Sequence, residues 1–446
     1  MNTLPLPSFT QGLVKNPQSA VFLDALKRGS FPIDCSELEA PLAAVLVAAA
    51  ARSLPKAKFL VVAASDAEAE AFAADCALAG APAMVFPWWR TAAYRPVEPR
   101  SSAFGERASA LASLLDDYGP RVLVAGQRAA MTPVPPRDFF SKGLFRLRKG
   151  DAIDALALAD RLAAWGYLRV PRVSLHGEFA LRGEVLDIFM PGDEDALRIV
   201  FEFDVVEAIR RFEPASQASS PERPDTVLLR PARELVWTRE LAEAAGAALL
   251  ACPKSGSERH EDDIAALVES LAERGEAKGE EYLYPLAFGR VPSIFEYLDA
   301  DSVVVLLDRE RLIGQAEAVR REYAGLYRKA LMDAPAAPPE RVLVDIESVI
   351  ASVPRSVSSW ALKDAAAQDR LAFGSEAPRS FFGNISYFRE ELSSLVKAQY
   401  DVHIFAENSL QAERIRSLIK EDSVQVHDRV FLNERAYAFG LQGIDR

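Results

Sequence analysis

The chain has 446 residues, room for about three ordinary domains, and its 50% hydrophobic and 26% charged composition is that of a folded protein rather than a disordered one. Its 64 acidic residues outnumber 52 basic ones, and the net charge of −12 excludes a chain that coats nucleic acid through a general excess of Lys and Arg. Cys35, Cys76 and Cys252 lie far apart with no CxxC pair, which argues against a disulfide framework or a thiolate zinc site.

Residues 1 to about 130 alternate Ala- and Leu-rich helical stretches with short β-branched runs, Lys58–Ala63 and Arg121–Ala125. Continuous apolar strands between helices are buried on both faces, so the pattern predicts a parallel α/β sheet. The longest apolar stretch, Ala40–Ala51, falls short of the roughly 20 residues that span a bilayer. With no basic segment leading into an apolar signal core, the expected location is the cytoplasm. Met131-Thr-Pro-Val-Pro-Pro136 then breaks regular structure and marks a boundary.

Beyond it, Gly177–Phe189 and Leu197–Asp204 read as antiparallel strands joined by the turn residues Met190–Asp195. In the second, Ile199, Phe201 and Phe203 alternate with Arg198, Glu202 and Asp204. In the first, apolar residues move from odd positions (Phe179, Leu181) to even ones (Leu186, Ile188), which calls for a bulge at Gly183 and points Arg182 outward. Mixed helices and strands follow from Pro224, ending in the apolar strand Ser302–Leu307, an Arg/Glu-rich helix from Arg309 to about Lys329, and a second proline cluster, Ala334–Pro339. The last segment carries a helix near Ser386–Lys397, a strand Asp401–Phe405, a helix Leu410–Lys420 and a strand near Val424–Val426.

The α/β start raises the question of a phosphate loop, and no GxxxxGK[ST] occurs. At its expected place stands Ile33-Asp-Cys-Ser-Glu-Leu-Glu39, with no glycine for close backbone approach, no lysine, and carboxylates that repel a triphosphate. None of His176, His260, His403 and His427 has zinc spacing, and His260-Glu-Asp-Asp263 reads as a solvated helix face. No GxSxG elbow is present, so no catalytic, cofactor-binding or metal-binding residue is named. Lys142, Arg146, Arg148 and Lys149 could touch DNA, but read more simply as a solvated linker in so acidic a chain.

The informative stretch is Tyr167–Phe189 with the strands after it. Arg169, Arg172 and Arg182 come near one another if the segment before the hairpin packs along it, and an arginine cluster beside aromatics such as Phe179 or Phe189 suits a protein interface, because guanidinium forks pair with carboxylates. The alternative is a solvated sheet face with Phe179 in the core.

Gly177-Glu-Phe-Ala-Leu-Arg-Gly-Glu-Val-Leu-Asp-Ile-Phe189 resembles the strand pair in the second domain of the UvrB-like module, found in the excision-repair protein UvrB and in transcription-repair coupling factor (Mfd). Phe86-Pro-Trp-Trp-Arg-Thr-Ala-Ala-Tyr94, Leu228-Leu-Arg-Pro-Ala-Arg-Glu234, Ser380-Phe-Phe-Gly-Asn384, Phe405-Ala-Glu407 and Gln411-Ala-Glu-Arg414 resemble further segments of the coupling-factor family, in the family's order. The ending Asn433–Arg446 departs from that pattern.

The resemblance implies a multidomain UvrB-like α/β module. Its parts would be a degenerate nucleotide-binding-type half (1–130), a UvrA-docking α+β domain with an antiparallel β-hairpin (131–223), a second α/β half (224–340), a linker (341–379) and a small α/β domain (380–446). It also implies a noncatalytic, monomeric chain that recruits UvrA in nucleotide excision repair. Arg182 and Arg169 match the family's binding positions, Arg172 matches more loosely, and Phe179 and Phe189 are further candidates. ATP and Mg would belong to a motor absent from this chain, and RNA polymerase and DNA would be reached only through missing C-terminal regions. Only a short run separates Tyr94 from the helix near Ser102, which leaves no room for UvrB's damage-probing hairpin. The competing reading is an ATP-dependent repair enzyme of the UvrB or helicase type.

Overall fold

The computed structural model describes residues 6–253, 259–361, 370–377, 381, 383–406, 408–420 and 430–433. Strands β1 (Ile33–Ser36), β2 (Phe59–Ala63), β3 (Ala83–Phe86) and β4 (Val122–Gly126) form first. Every residue of β2 and β4 is buried, as expected for strands covered by helices on both faces. The helix Ala40–Ser53 follows β1 and is buried along nearly its whole length beneath the helices Leu6–Lys15 and Pro17–Arg28.

The chain then leaves this sheet and builds a second unit. Its strands are β5 (Phe145–Arg148), β6 (Leu168–Arg169), β7 (Glu178–Arg182), β8 (Val185–Phe189), β9 (Ala196–Glu202), β10 (Val205–Phe212) and β11 (Thr226–Leu229). Strands β6 to β10 form one sheet in the order β10-β9-β8-β7-β6, and β11 pairs with β5. Phe179, Leu186, Ile188, Leu197, Ile199 and Phe201 face Leu158 and Leu162 of the helix Ala155–Ala164, together with Leu147 and Leu229.

Afterwards the chain returns to the first sheet through β12 (Val303–Leu306), β13 (Ser356–Trp360) and β14 (Leu371–Ala372). The completed sheet runs β14-β1-β13-β12-β2-β4-β3, and all of its pairings are parallel. Last comes a small unit in which β15 (Val402–Phe405) and β16 (Val430–Asn433) pair in parallel beside the helices Ile385–Lys397 and Ser409–Lys420.

Several expectations need correction. Residues 341–379 are not a linker: they carry the helix Ile346–Ser352 and the strand β13, which lies between β1 and β12. The second unit does not stop at 223, because β11 pairs antiparallel with β5. Gly183 is not a bulge. With φ +57° it opens a two-residue turn between β7 and β8, and pairing Phe179 with Ile188 and Leu181 with Leu186 carries the apolar face from odd to even positions unaided. The irregularity in this sheet falls instead between Val206 and Ala208. Phe203 does not continue the apolar face of β9; it sits in the turn to β10 and is 86% exposed. The strand expected at 424–426 lies outside the described residues.

Candidate protein-docking face

Alternation along the second sheet gives two faces with different fates. One is the core just described. The other carries Ala180, Arg182, Val185, Asp187, Arg198, Val200, Ala208 and Arg210, as the register pairs 180 with 187, 187 with 198, 198 with 210, 182 with 185, 185 with 200 and 200 with 208. One end of this second face is roofed by the segments around Val173 and Gln217, over Phe189, Ala196 and Phe212. The end that carries Arg182 is open, and half of that side chain is exposed.

Asp187 organises the face. Its carboxylate is 1% exposed. It accepts from Arg182 Nη2 at 2.8 Å, from Arg198 Nε at 2.7 Å and from Arg198 Nη2 at 2.9 Å. A buried carboxylate needs hydrogen-bonding partners to replace lost hydration, and two guanidiniums supply them. Attraction to Asp187 in turn raises the Arg198 pKa further, fixing its positive charge. Arg198 also lies 4.4 Å from the Phe212 ring centre and reaches Gln217 Oε1. Both arginines are therefore held in place before any partner arrives, which reduces the ordering cost of binding.

The five residues expected at the site separate. Arg182 is exposed on the open face. Arg172 is exposed and donates to the Ala215 carbonyl at 3.3 Å, so it borders the roofed end. Arg169 does not join Arg182 on one face. It pairs in register with Phe179 in the parallel β6–β7 ladder, so its side chain leaves the sheet on the opposite side, at the edge. Phe179 is 1% exposed in the core, and Phe189 is 7% exposed against the His176 ring. Neither is available as a surface anchor, because alternation and the roof consume both. Arg198 and Asp187 were missed as site residues; the signal was the alternation that already placed Arg198 on the polar side.

The basic group near 142–149 also divides. Arg146 is paired with Asp116 and lies over Tyr118, while Lys142, Arg148 and Lys149 are exposed.

At the expected place of a phosphate loop the chain closes on itself. Ser36 O accepts the Phe373 amide at 3.0 Å, and Glu37 O accepts the Ser375 amide at 3.0 Å and the Ser375 hydroxyl at 2.5 Å. The Glu39 amide donates to Ser375 Oγ at 3.0 Å, and Asp34 Oδ1 accepts from the Trp360 indole at 2.8 Å. One backbone donor that a triphosphate could use, the Glu39 amide, is thereby engaged by a residue 336 positions away. Among the described residues, no group of three or more His, Cys, Asp or Glu side chains is placed to hold a metal ion.

The second unit is anchored to the first through its C-terminal exit. Arg107 and Glu234 pair at 2.8 Å with both side chains wholly buried, and the Arg107 guanidinium lies between the Phe86 and Trp89 rings at 4.3 and 4.1 Å. Next to it, Arg233 pairs with Glu280 at 2.7 Å, and Arg230 donates to the Pro191 carbonyl at 2.7 Å.

The family model described as the UvrB interaction domain matches residues 145–235, the span from β5 to this anchor. The chain is 32% identical over 278 residues to a protein named transcription-repair-coupling factor from Mycobacterium tuberculosis, covering 59% of this chain and 22% of that protein. A protein of the same name from Borreliella burgdorferi is 22% identical over 334 residues, 74% of this chain and 28% of its own length. The Escherichia coli protein of that name is 28% identical over 218 residues, 49% and 18%. In these alignments the chain spans only 18% to 28% of its relatives' length.

Proposed function

We propose that this chain is a recruitment module of transcription-coupled repair, which docks UvrA on the open face of the UvrB interaction domain and does no chemistry itself. The observation that carries the reading is the coincidence of that domain with a sheet face on which two arginines are pre-set by the buried Asp187. Contacts with RNA polymerase and DNA, and any ATP-driven step, would belong to regions of the longer relatives outside this chain. The competing enzyme reading needs nucleotide held near residues 33–39, and the contacts from Phe373 and Ser375 oppose it.

The test is capture of purified UvrA by the full chain, by Arg182→Ala and by Arg28→Ala, an exposed arginine on a helix of the first unit. Loss of a central interface arginine costs roughly 2 kcal/mol, and of a half-exposed one somewhat less, so Arg182→Ala should weaken capture about tenfold while Arg28→Ala leaves it unchanged. Equal capture by all three proteins would refute the named surface. A calorimetric titration with ATP and magnesium should give no binding heat; micromolar affinity would favour the enzyme.

A further inference from the structure

The same sheet face carries a third arginine, and this one is unsatisfied. Arg210 lies directly across the β9–β10 ladder from Arg198. Like charges in directly opposed positions repel, and side chains there are only about 5 Å apart at their bases. Asp187, the acidic group between the arginines, already takes both Arg182 and Arg198. Among the described residues, Arg210 has no hydrogen bond or ion pair, and its Nε is buried without an acceptor. A buried donor without an acceptor is costly, and the folded chain alone recovers none of that cost.

We propose that Arg210 is a docking residue, and that the protein partner completes it with a carboxylate placed against Arg210 beside Arg198. The inference rests on the docking function proposed above and adds a residue and a partner chemistry to it. The pattern is already present one strand away, where a single carboxylate serves two guanidiniums. A carboxylate supplied by the partner would accept the orphaned donor and neutralise the repelling pair. Apolar Val185, Val200 and Ala208 lie alongside as the drier part of the contact.

The experiment is a calorimetric titration of UvrA against the full chain, Arg210→Met and Arg210→Lys, with thermal unfolding of each. Arg210→Met should bind UvrA about tenfold more weakly yet unfold at the same or a higher temperature, because it removes an unsatisfied donor and a like-charge contact. Arg210→Lys should recover part of the binding, with a steeper loss of affinity on raising salt than Arg210→Met shows. Wild-type affinity in Arg210→Met, while Arg182→Ala is weakened, would overturn this inference and leave the docking function standing. No binding by the wild-type chain would overturn the docking function itself. A fall in duplex-oligonucleotide binding, with UvrA binding intact, would assign Arg210 to nucleic acid and overturn the carboxylate partner.

Discussion

Single side chains show how the molecule tolerates charge in its interior. Glu281 is 2% exposed; its Oε1 accepts the Val97 amide at 2.8 Å and its Oε2 has no partner among the described residues. Burial pushes its carboxyl from an ordinary 4.5 up to about 8, with the neighbouring Glu280 adding to the effect. The folded chain therefore holds this proton more tightly than the unfolded chain. The stability this provides is complete below pH 4.5 and drains away as pH rises towards 8, at up to about 1.4 kcal/mol per pH unit. Glu281→Gln keeps the neutral form at every pH, so its thermal midpoint should exceed the wild type's increasingly between pH 5 and pH 8; parallel pH profiles would contradict the assignment. Arg182, Arg198 and Arg210 show the opposite management of charge, exposed or half-buried on a face that is left partly unneutralised.

Elements reveal which features of the fold the sequence could announce. The runs at Phe59–Ala63 and Val122–Gly126 were legible because a doubly covered strand is continuously apolar. Strand β13, Ser356-Val-Ser-Ser-Trp360, was not, because three serines disguise it as a loop. Its polar atoms find partners at the strand ends: Ser359 Oγ accepts the Asp308 amide, and Ser358 Oγ accepts from Arg309. Long-range partners of this kind leave no local periodicity to read. The same holds for Ser375, 3% exposed, which clasps the loop after β1. Ser375→Ala leaves the Glu39 amide without that acceptor and should lower stability by about 1–2 kcal/mol in denaturant melts; no change would show that the clasp is not needed.

Close approach of two elements supplies another test. A Cβ at Gly105, inside the helix Ser102–Leu115, would stand 2.2 Å from Pro191 Cβ in the turn of the second unit. Gly to Ala within a helix ordinarily adds about 1 kcal/mol, whereas overpacking costs about 1–3 kcal/mol. With backbone and a proline ring as neighbours, the clash should win. Gly105→Ala is expected to lower the unfolding midpoint, and a rise would mean that the two units do not meet as described.

The whole molecule joins a parallel sheet without a phosphate loop to the mixed sheet of the second unit through a buried cluster centred on Arg107, Glu234, Arg233 and Glu280. The two-unit plan was visible in the change from helix-flanked apolar runs to alternating strands, but the anchor was not. Leu228–Glu234 stands out in the sequence only by its family resemblance, and only the fold shows that its charged residues are interior. At the site, Arg182 could be read from alternation alone, while the separation of Arg169 depended on the register of a two-residue edge strand, which composition cannot specify.

The most direct test is calorimetric titration of UvrA into the full chain and into the double variant Arg182→Ala/Arg198→Ala, at matched salt. The docking account predicts saturable binding by the full chain, weakened about a hundredfold in the variant if each arginine contributes roughly a factor of ten. Absence of binding by the full chain, or equal affinity of the two proteins, would contradict it.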